Sequence, residues 1–138
     1  MSQKNVELVR QAYEVFNKGG PEAVISAGVW SPEIVFDFSP SDIPGLGVYR
    51  GYDEVSAFFK EDWFRAFPFE EWEVELDEVV DHGDQVVAIG RQRGLGASSG
   101  VAAELQQGII FTLRNGKVVR AEVYGDPEKA LKAAGLSE

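Results

Sequence analysis

The run Val86-Val87-Ala88-Ile89-Gly90-Arg91-Gln92-Arg93 constrains this chain more than any other feature. Its length and β-branched content make it a strand, and strand side chains alternate between two faces. Both arginines therefore share a side with Val87 and Ile89. Either that face is wet or the arginines enter a cavity. Asp37 poses the same question as a single carboxylate in the apolar run Ile34-Val35-Phe36-Asp37-Phe38. Charges of both signs on apolar faces point to a small-molecule pocket.

The remaining elements follow from periodicity and punctuation. Val6, Val9, Tyr13 and Phe16 recur at helical spacing, with Leu8, Ala12 and Val15 widening the stripe. Lys18-Gly19-Gly20 stops that helix, and Pro21 suits the first turn of a second, short one over 22–27. Ser31-Pro32 breaks the chain before a strand over 34–38. Prolines and glycines make 39–51 a loop, and a third helix is expected over 52–67, ended by Pro68.

Strand 70–80 alternates Trp72, Val74 and Leu76 against the acidic row Glu71, Glu73, Glu75 and Asp77, a solvated face. Asp81-His82-Gly83-Asp84 is a hairpin turn into strand 85–95. Strand 101–113 follows the glycine-rich turn 94–100, and Asn115-Gly116 leads into strand 117–124. Asp126 caps the last helix, Pro127 sits at its first position, and Ala133-Ala134-Gly135 ends it. Helices first and an antiparallel meander after them give an α+β fold, a curved, mostly antiparallel sheet wrapped around the N-terminal helices. At 138 residues the chain reads as a single domain spanning 1–138.

Charge and composition exclude several classes. A net charge of −10 opposes both nucleic acid and anionic membranes as partners. The chain holds no cysteine, so thiolate and disulfide chemistry are absent. The first residues hold no apolar stretch resembling a signal peptide, and no run approaches membrane-spanning length, so a cytoplasmic protein is expected. His82 is the only histidine and lies in a turn that favours such residues anyway, which leaves no multi-histidine metal site. No cofactor is expected.

The order of these elements, with Val9-Arg10-Gln11-Ala12-Tyr13-Glu14-Val15-Phe16-Asn17, Tyr49-Arg50-Gly51, Arg114-Asn115-Gly116-Lys117-Val118-Val119-Arg120, and Tyr124-Gly125-Asp126 through Leu136, resembles the SnoaL-like branch of the nuclear-transport-factor-2-like superfamily. The resemblance covers nearly the whole chain. It implies a conical cavity between sheet and helices, and a homodimer through the outer sheet face. Small residues on the outward face of the arginine strand, Ala88, Gly90 and Gly94, would allow such packing. The superfamily includes ketosteroid isomerases, polyketide cyclases, limonene epoxide hydrolases and proteins that only bind, so fold alone does not select a reaction.

Carried over residue by residue, the isomerase likeness puts Asp37 at the position of the general base. A carboxylate beside Phe36, Phe38 and Trp30 would be desolvated, which raises its pKa and suits a base near neutral pH. The bland reading is an edge-strand aspartate facing solvent or capping the next loop. The same likeness sends Val87, Ile89, Arg91, Arg93 and Leu95 into the cavity, with Gln107 from the next strand. Arg91 and Arg93 would then stabilise an anion, or would pair with carboxylates at the cavity mouth. Where isomerases carry an oxyanion tyrosine this chain has Ala12, with Tyr13 displaced by about 100° around the helix. Where they carry a protonated aspartic acid it has Ile109, and where epoxide hydrolases carry a carboxylate on the last strand it has Val123.

The expected site therefore has Asp37, Arg91 and Arg93 in catalytic roles. Tyr13, Trp30, Phe36, Phe59, Trp63 and Gln107 would contact a small hydrophobic molecule. Two functions compete. One is a cofactor-independent acid/base enzyme of isomerase, cyclase or hydrolase type, and the other is a non-catalytic binding module. Catalysis requires Asp37 to reach the same space as the arginines; binding requires only the cavity.

Overall fold

The computed structural model describes residues 2–136. Helix α1 (Ser2–Ser26) is two helices across a kink, because Gly20 adopts φ 73 and Pro21 opens the second part. That break falls where the glycine pair and proline place it. Strand β1 (Trp30–Asp37) starts earlier than Ser31-Pro32 suggests, since an irregularity between Trp30 and Val35 accommodates the proline. A short β2 (Val48–Arg50) hides in the segment read as loop and pairs with β1.

Helix α2 (Gly51–Ala57) runs into a π-helical turn, Phe58–Trp63, and then into the short α3 (Phe64–Ala66). The remaining strands are β3 (Glu73–His82), β4 (Gln85–Leu95), β5 (Ala102–Arg114) and β6 (Lys117–Tyr124). Helix α4 (Pro127–Ala133) starts at Asp126, whose carboxylate accepts the Glu128 N–H at 2.9 Å.

The six strands form one sheet in the order β2-β1-β6-β5-β4-β3. β1 and β6 are parallel and all other neighbours antiparallel, so the expected α+β architecture is the observed one. Helices α1 and α2 lie on the inner face. There Val9, Ala12, Val55 and Phe58 meet Val86, Ala88, Ile109, Phe111, Leu113 and Ala121 in the main core. Each large apolar side chain buried there contributes about 1.5–3 kcal/mol. On the outer face α4 covers Val87 and Ile110 with Ala130. The edge strand β3 is tied to α1 by Asn17, whose amide donates to the Val74 carbonyl at 2.8 Å and accepts the Val74 N–H at 2.9 Å. One side chain thus replaces a missing neighbouring strand.

The faces of β4 are the reverse of those expected. Ala88 is fully buried in the inner core. Gly90 lies opposite Gln107, so it shares the inner face, and Gly94 lies beneath Trp72, whose ring would meet an added Cβ at 2.7 Å. None of the three offers a small-residue surface to a second sheet.

Next to Gly90, β3 carries a bulge at Asp77: Leu76 pairs with Gly90 but Glu78 with Ile89. A Cβ on Gly90 would sit 2.5 Å from the Glu75 carbonyl oxygen, a backbone atom unable to rotate away. Gly90→Ala should therefore cost about 1–3 kcal/mol, read as a lower urea midpoint at unchanged m-value. A wild-type midpoint would show that the bulge yields freely.

Candidate functional site

A cavity of about 280 Å³ opens between the inner face of the sheet and the helices. Helical spacing on α1 delivers Ala12, Tyr13 and Phe16 to its wall, and strand alternation on β1 delivers Trp30 and Phe36, with Phe38 just beyond. The π-helical turn contributes Phe59 and Trp63, and β4 to β6 contribute Gln92, Gln107, Ile109, Phe111 and Val123. The aromatic rings meet edge to face, as in Trp30 with Phe36 at 5.4 Å, Phe36 with Phe59 at 5.6 Å and Trp63 with Trp72 at 5.4 Å. Such contacts hold the wall in one arrangement. All three tryptophans of the chain line this space.

Among the described residues, none that lines the cavity is charged. Its polar groups are few. Burial raises the Tyr13 pKa well above the ordinary tyrosine value, so its hydroxyl stays protonated as a donor. Gln92 Nε2 donates to Gln107 Oε1 across the β4–β5 ladder. Ser41 is occupied locally, donating to the Phe38 carbonyl at 2.6 Å and accepting the Ile43 N–H at 3.2 Å. Burial also raises the pKa of Tyr124 at the rim, with Glu122 and Asp37 adding to the effect. A wall of this kind holds an uncharged, mostly apolar molecule, because a bare charge would lose its hydration without gaining a partner.

The sequence profile of the SnoaL-like domain matches residues 9–121. The chain belongs to that family. A nuclear-transport-factor-2-like protein of unknown function from Burkholderia pseudomallei K96243 is similar in structure, with 25% identity, a TM-score of 0.74, and coverage of 94% of this chain and 95% of that one. TerC co-crystallised with polyporic acid is similar at 19% identity and TM-score 0.74, covering 96% and 98%. A protein named for SnoaL-like polyketide cyclases, from Jannaschia sp. CCS1, shares 22% identity at TM-score 0.73, covering 99% and 94%. No curated protein matches the sequence.

Within this SnoaL-like domain, Tyr13, Trp30, Phe36, Phe59, Trp63 and Gln107 all lie in the cavity wall. Asp37 does not. Ile34, Phe36 and Phe38 point inward, so alternation turns Asp37 to the outer face, where it is paired in register with Glu122. Its Oδ1 accepts the Ser39 N–H at 2.9 Å and the Ser39 hydroxyl, and its Oδ2 accepts from Arg120 Nη2 at 3.1 Å. Burial by itself raises the Asp37 pKa. The Ser39 hydrogen bonds and the Arg120 and Arg50 charges outweigh that and hold the carboxyl below its ordinary 3.8. The expected desolvated base is thus an ionised clamp joining β1, the next turn and β6.

Arg91 and Arg93 also lie on the outer face, as do their register partners Glu75, Glu73 and Glu104. Arg91 donates to Asp77 through Nε at 3.0 Å and Nη2 at 2.9 Å, and to Glu75 at 2.8 Å. Arg93 binds Glu75 and approaches Glu104 at 3.3 Å. The acidic row read as a solvated face is what neutralises them. Neither arginine meets Asp37; its partner is Arg120, to which the sequence assigned no catalytic role. Val123 lines the cavity, and its neighbour Glu122 lies outside beside Arg120.

Gln92 was missed. The signal was present in the pairing arithmetic: once Gln107 is inside, its partner Gly90 is inside, and so is Gln92 two residues on. Trp72, Leu105, Ile43 and Leu46 also line the cavity.

The Asp37 clamp has a pH signature. A carboxyl with a lowered folded-state pKa contributes stability that is present above about pH 3.8 and is lost as pH falls through the folded value. Asp37→Asn should destabilise at neutral pH by about 1–3 kcal/mol, with the gap to wild type closing below that pH. Urea titrations across the range check this; a gap independent of pH would refute the ion pair.

Proposed function

We propose that this protein is a binding module for a neutral, largely apolar aromatic small molecule held in the cavity. One observation carries the reading: the wall is mostly aromatic and aliphatic and, among the described residues, bears no charged side chain. Acid/base catalysis needs a titratable group poised near working pH and within reach of the reacting proton. Among the described residues the wall offers only Tyr13 and Tyr124 as titratable groups, both with raised pKa values. Asp37, Arg91 and Arg93 are engaged on the other side of the sheet. Whatever chemistry this cavity supports proceeds by shape and hydrogen bonding, without a charged catalyst.

Neutral aromatic ketones should raise the melting temperature in proportion to the logarithm of their concentration. The stabilisation expected is about 2.7 kcal/mol at a hundred times Kd. The matching carboxylates should bind at least roughly ten-fold more weakly, since each carries an unpaired charge into an apolar wall. Asp37→Asn should leave ketone affinity unchanged, apart from its lower starting stability. Equal binding of ketone and carboxylate, or loss of ketone binding in Asp37→Asn, would overturn the reading.

We retain the homodimer as a proposal on different grounds from the small-residue face. Beyond α4 the outer face of β4 presents Arg91 and Arg93 among Glu75, Asp77 and Glu104. A partner would meet fixed charges of both signs, so association should weaken as salt rises. Light scattering at micromolar concentration in low and high salt checks it; a monomer in both would sink it.

A further inference from the structure

The cavity wall is not uniformly greasy. Gln107 is 7% exposed and lines the cavity beside Gln92. A primary amide carries one acceptor oxygen and two donor hydrogens. Within the pair, Gln92 Nε2 and Gln107 Oε1 are joined. That leaves Gln107 Nε2 and Gln92 Oε1 without a partner among the described residues. No fully buried side-chain nitrogen or oxygen among those residues lacks a hydrogen bond, so Gln107 Nε2 keeps access to the open space it lines. Two amide atoms that open on the cavity without a protein partner are hydrogen bonds left for a ligand to make.

We propose that the Gln92–Gln107 pair sets ligand specificity, selecting a neutral aromatic molecule that carries a carboxamide-like group. This rests on the binding reading above and names the ligand class for the same cavity. The free Gln107 Nε2–H donates to a ligand oxygen, and the free Gln92 Oε1 accepts a ligand N–H or O–H. A carboxamide supplies both from one small planar group. A ketone satisfies Gln107 alone, and a hydrocarbon satisfies neither. A carboxylate offers oxygens but brings a charge that no residue of the wall can neutralise. The pair is also well supported: Gln92 and Gln107 sit on adjacent paired strands, so their backbones are held by the ladder itself.

The test is a binding series on one aromatic body, 2-naphthamide, 2-acetonaphthone and 2-ethylnaphthalene. Quenching of the three cavity tryptophans gives the affinity. Wild type should bind the amide roughly ten-fold more tightly than the hydrocarbon, with the ketone between them. Gln107→Leu, close in volume, should erase that order while keeping or improving hydrocarbon affinity. Gln92→Leu should remove the advantage of amide over ketone and spare that of ketone over hydrocarbon. If Gln107→Leu fails to fold by circular dichroism, the wild-type order and Gln92→Leu decide the matter. Equal affinities across the series in wild type, or an order unchanged in the variants, would overturn the amide assignment and leave the binding reading standing. Binding of none of the three would overturn both.

Discussion

The antiparallel ladder between β4 and β5, running from Gln85 opposite Thr112 to Leu95 opposite Ala102, is the constraint on which the site depends. Its register decides which half of each strand meets the helices. With Gly90 opposite Gln107, the even-numbered residues of β4 turn inward and the odd-numbered ones outward. A shift of one residue would exchange Gln92 for Arg91 and Arg93 and convert a neutral cavity into a cationic one. The register is pinned from both sides. Ala88 fits the core beneath α1, and Gly108 on β5 leaves room for α4, where an added Cβ would lie 2.6 Å from that of Ala130.

The charged residues form a separate system on the opposite surface. Arg91 and Arg93 serve Glu75, Asp77 and Glu104, while Arg120 serves Asp37 and lies 3.7 Å from Glu122. The bulge in β3 brings Asp77 within reach of Arg91 without disturbing the inward series Trp72, Val74 and Leu76. The division has a simple cause. An ion pair in the cavity would lose more hydration than its mutual attraction restores, whereas on the outer face water screens and solvates the same charges. The sheet therefore separates side chains by face: amides and hydroxyls line the cavity, and the ion pairs lie outside.

Most of the fold was legible in the sequence because its signals are local. The break at Gly20-Pro21, the Asp126-Pro127 start of α4 and the Asn115-Gly116 turn are each set by the backbone preferences of a few residues. The π-helical turn at Phe58–Trp63 and the short β2 were not legible. The first is a packing adjustment with no residue code of its own, and the second is a strand only because β1 lies beside it. In the site, Tyr13 and Phe16 could be placed on the wall from the helical spacing of α1. Asp37 could have been placed as well, since Ile34, Phe36 and Phe38 already mark the inward face of β1; the family likeness, one residue out of step, pointed the other way.

By itself the sequence determined the order of elements, the aromatic character of the cavity and the absence of thiol chemistry, because these follow from residue type and short-range spacing. Only the tertiary structure decided where the charges go. In β4 both faces are apolar in the first half, Val86 and Ala88 beneath α1, and Val87 beneath α4. Period-two alternation then has no preferred phase. The phase is set by the register with β5 and by two helices far away in the chain. That non-local choice turned a suspected Asp-Arg catalytic pair into outer-face clamps and left a pair of glutamines facing the cavity.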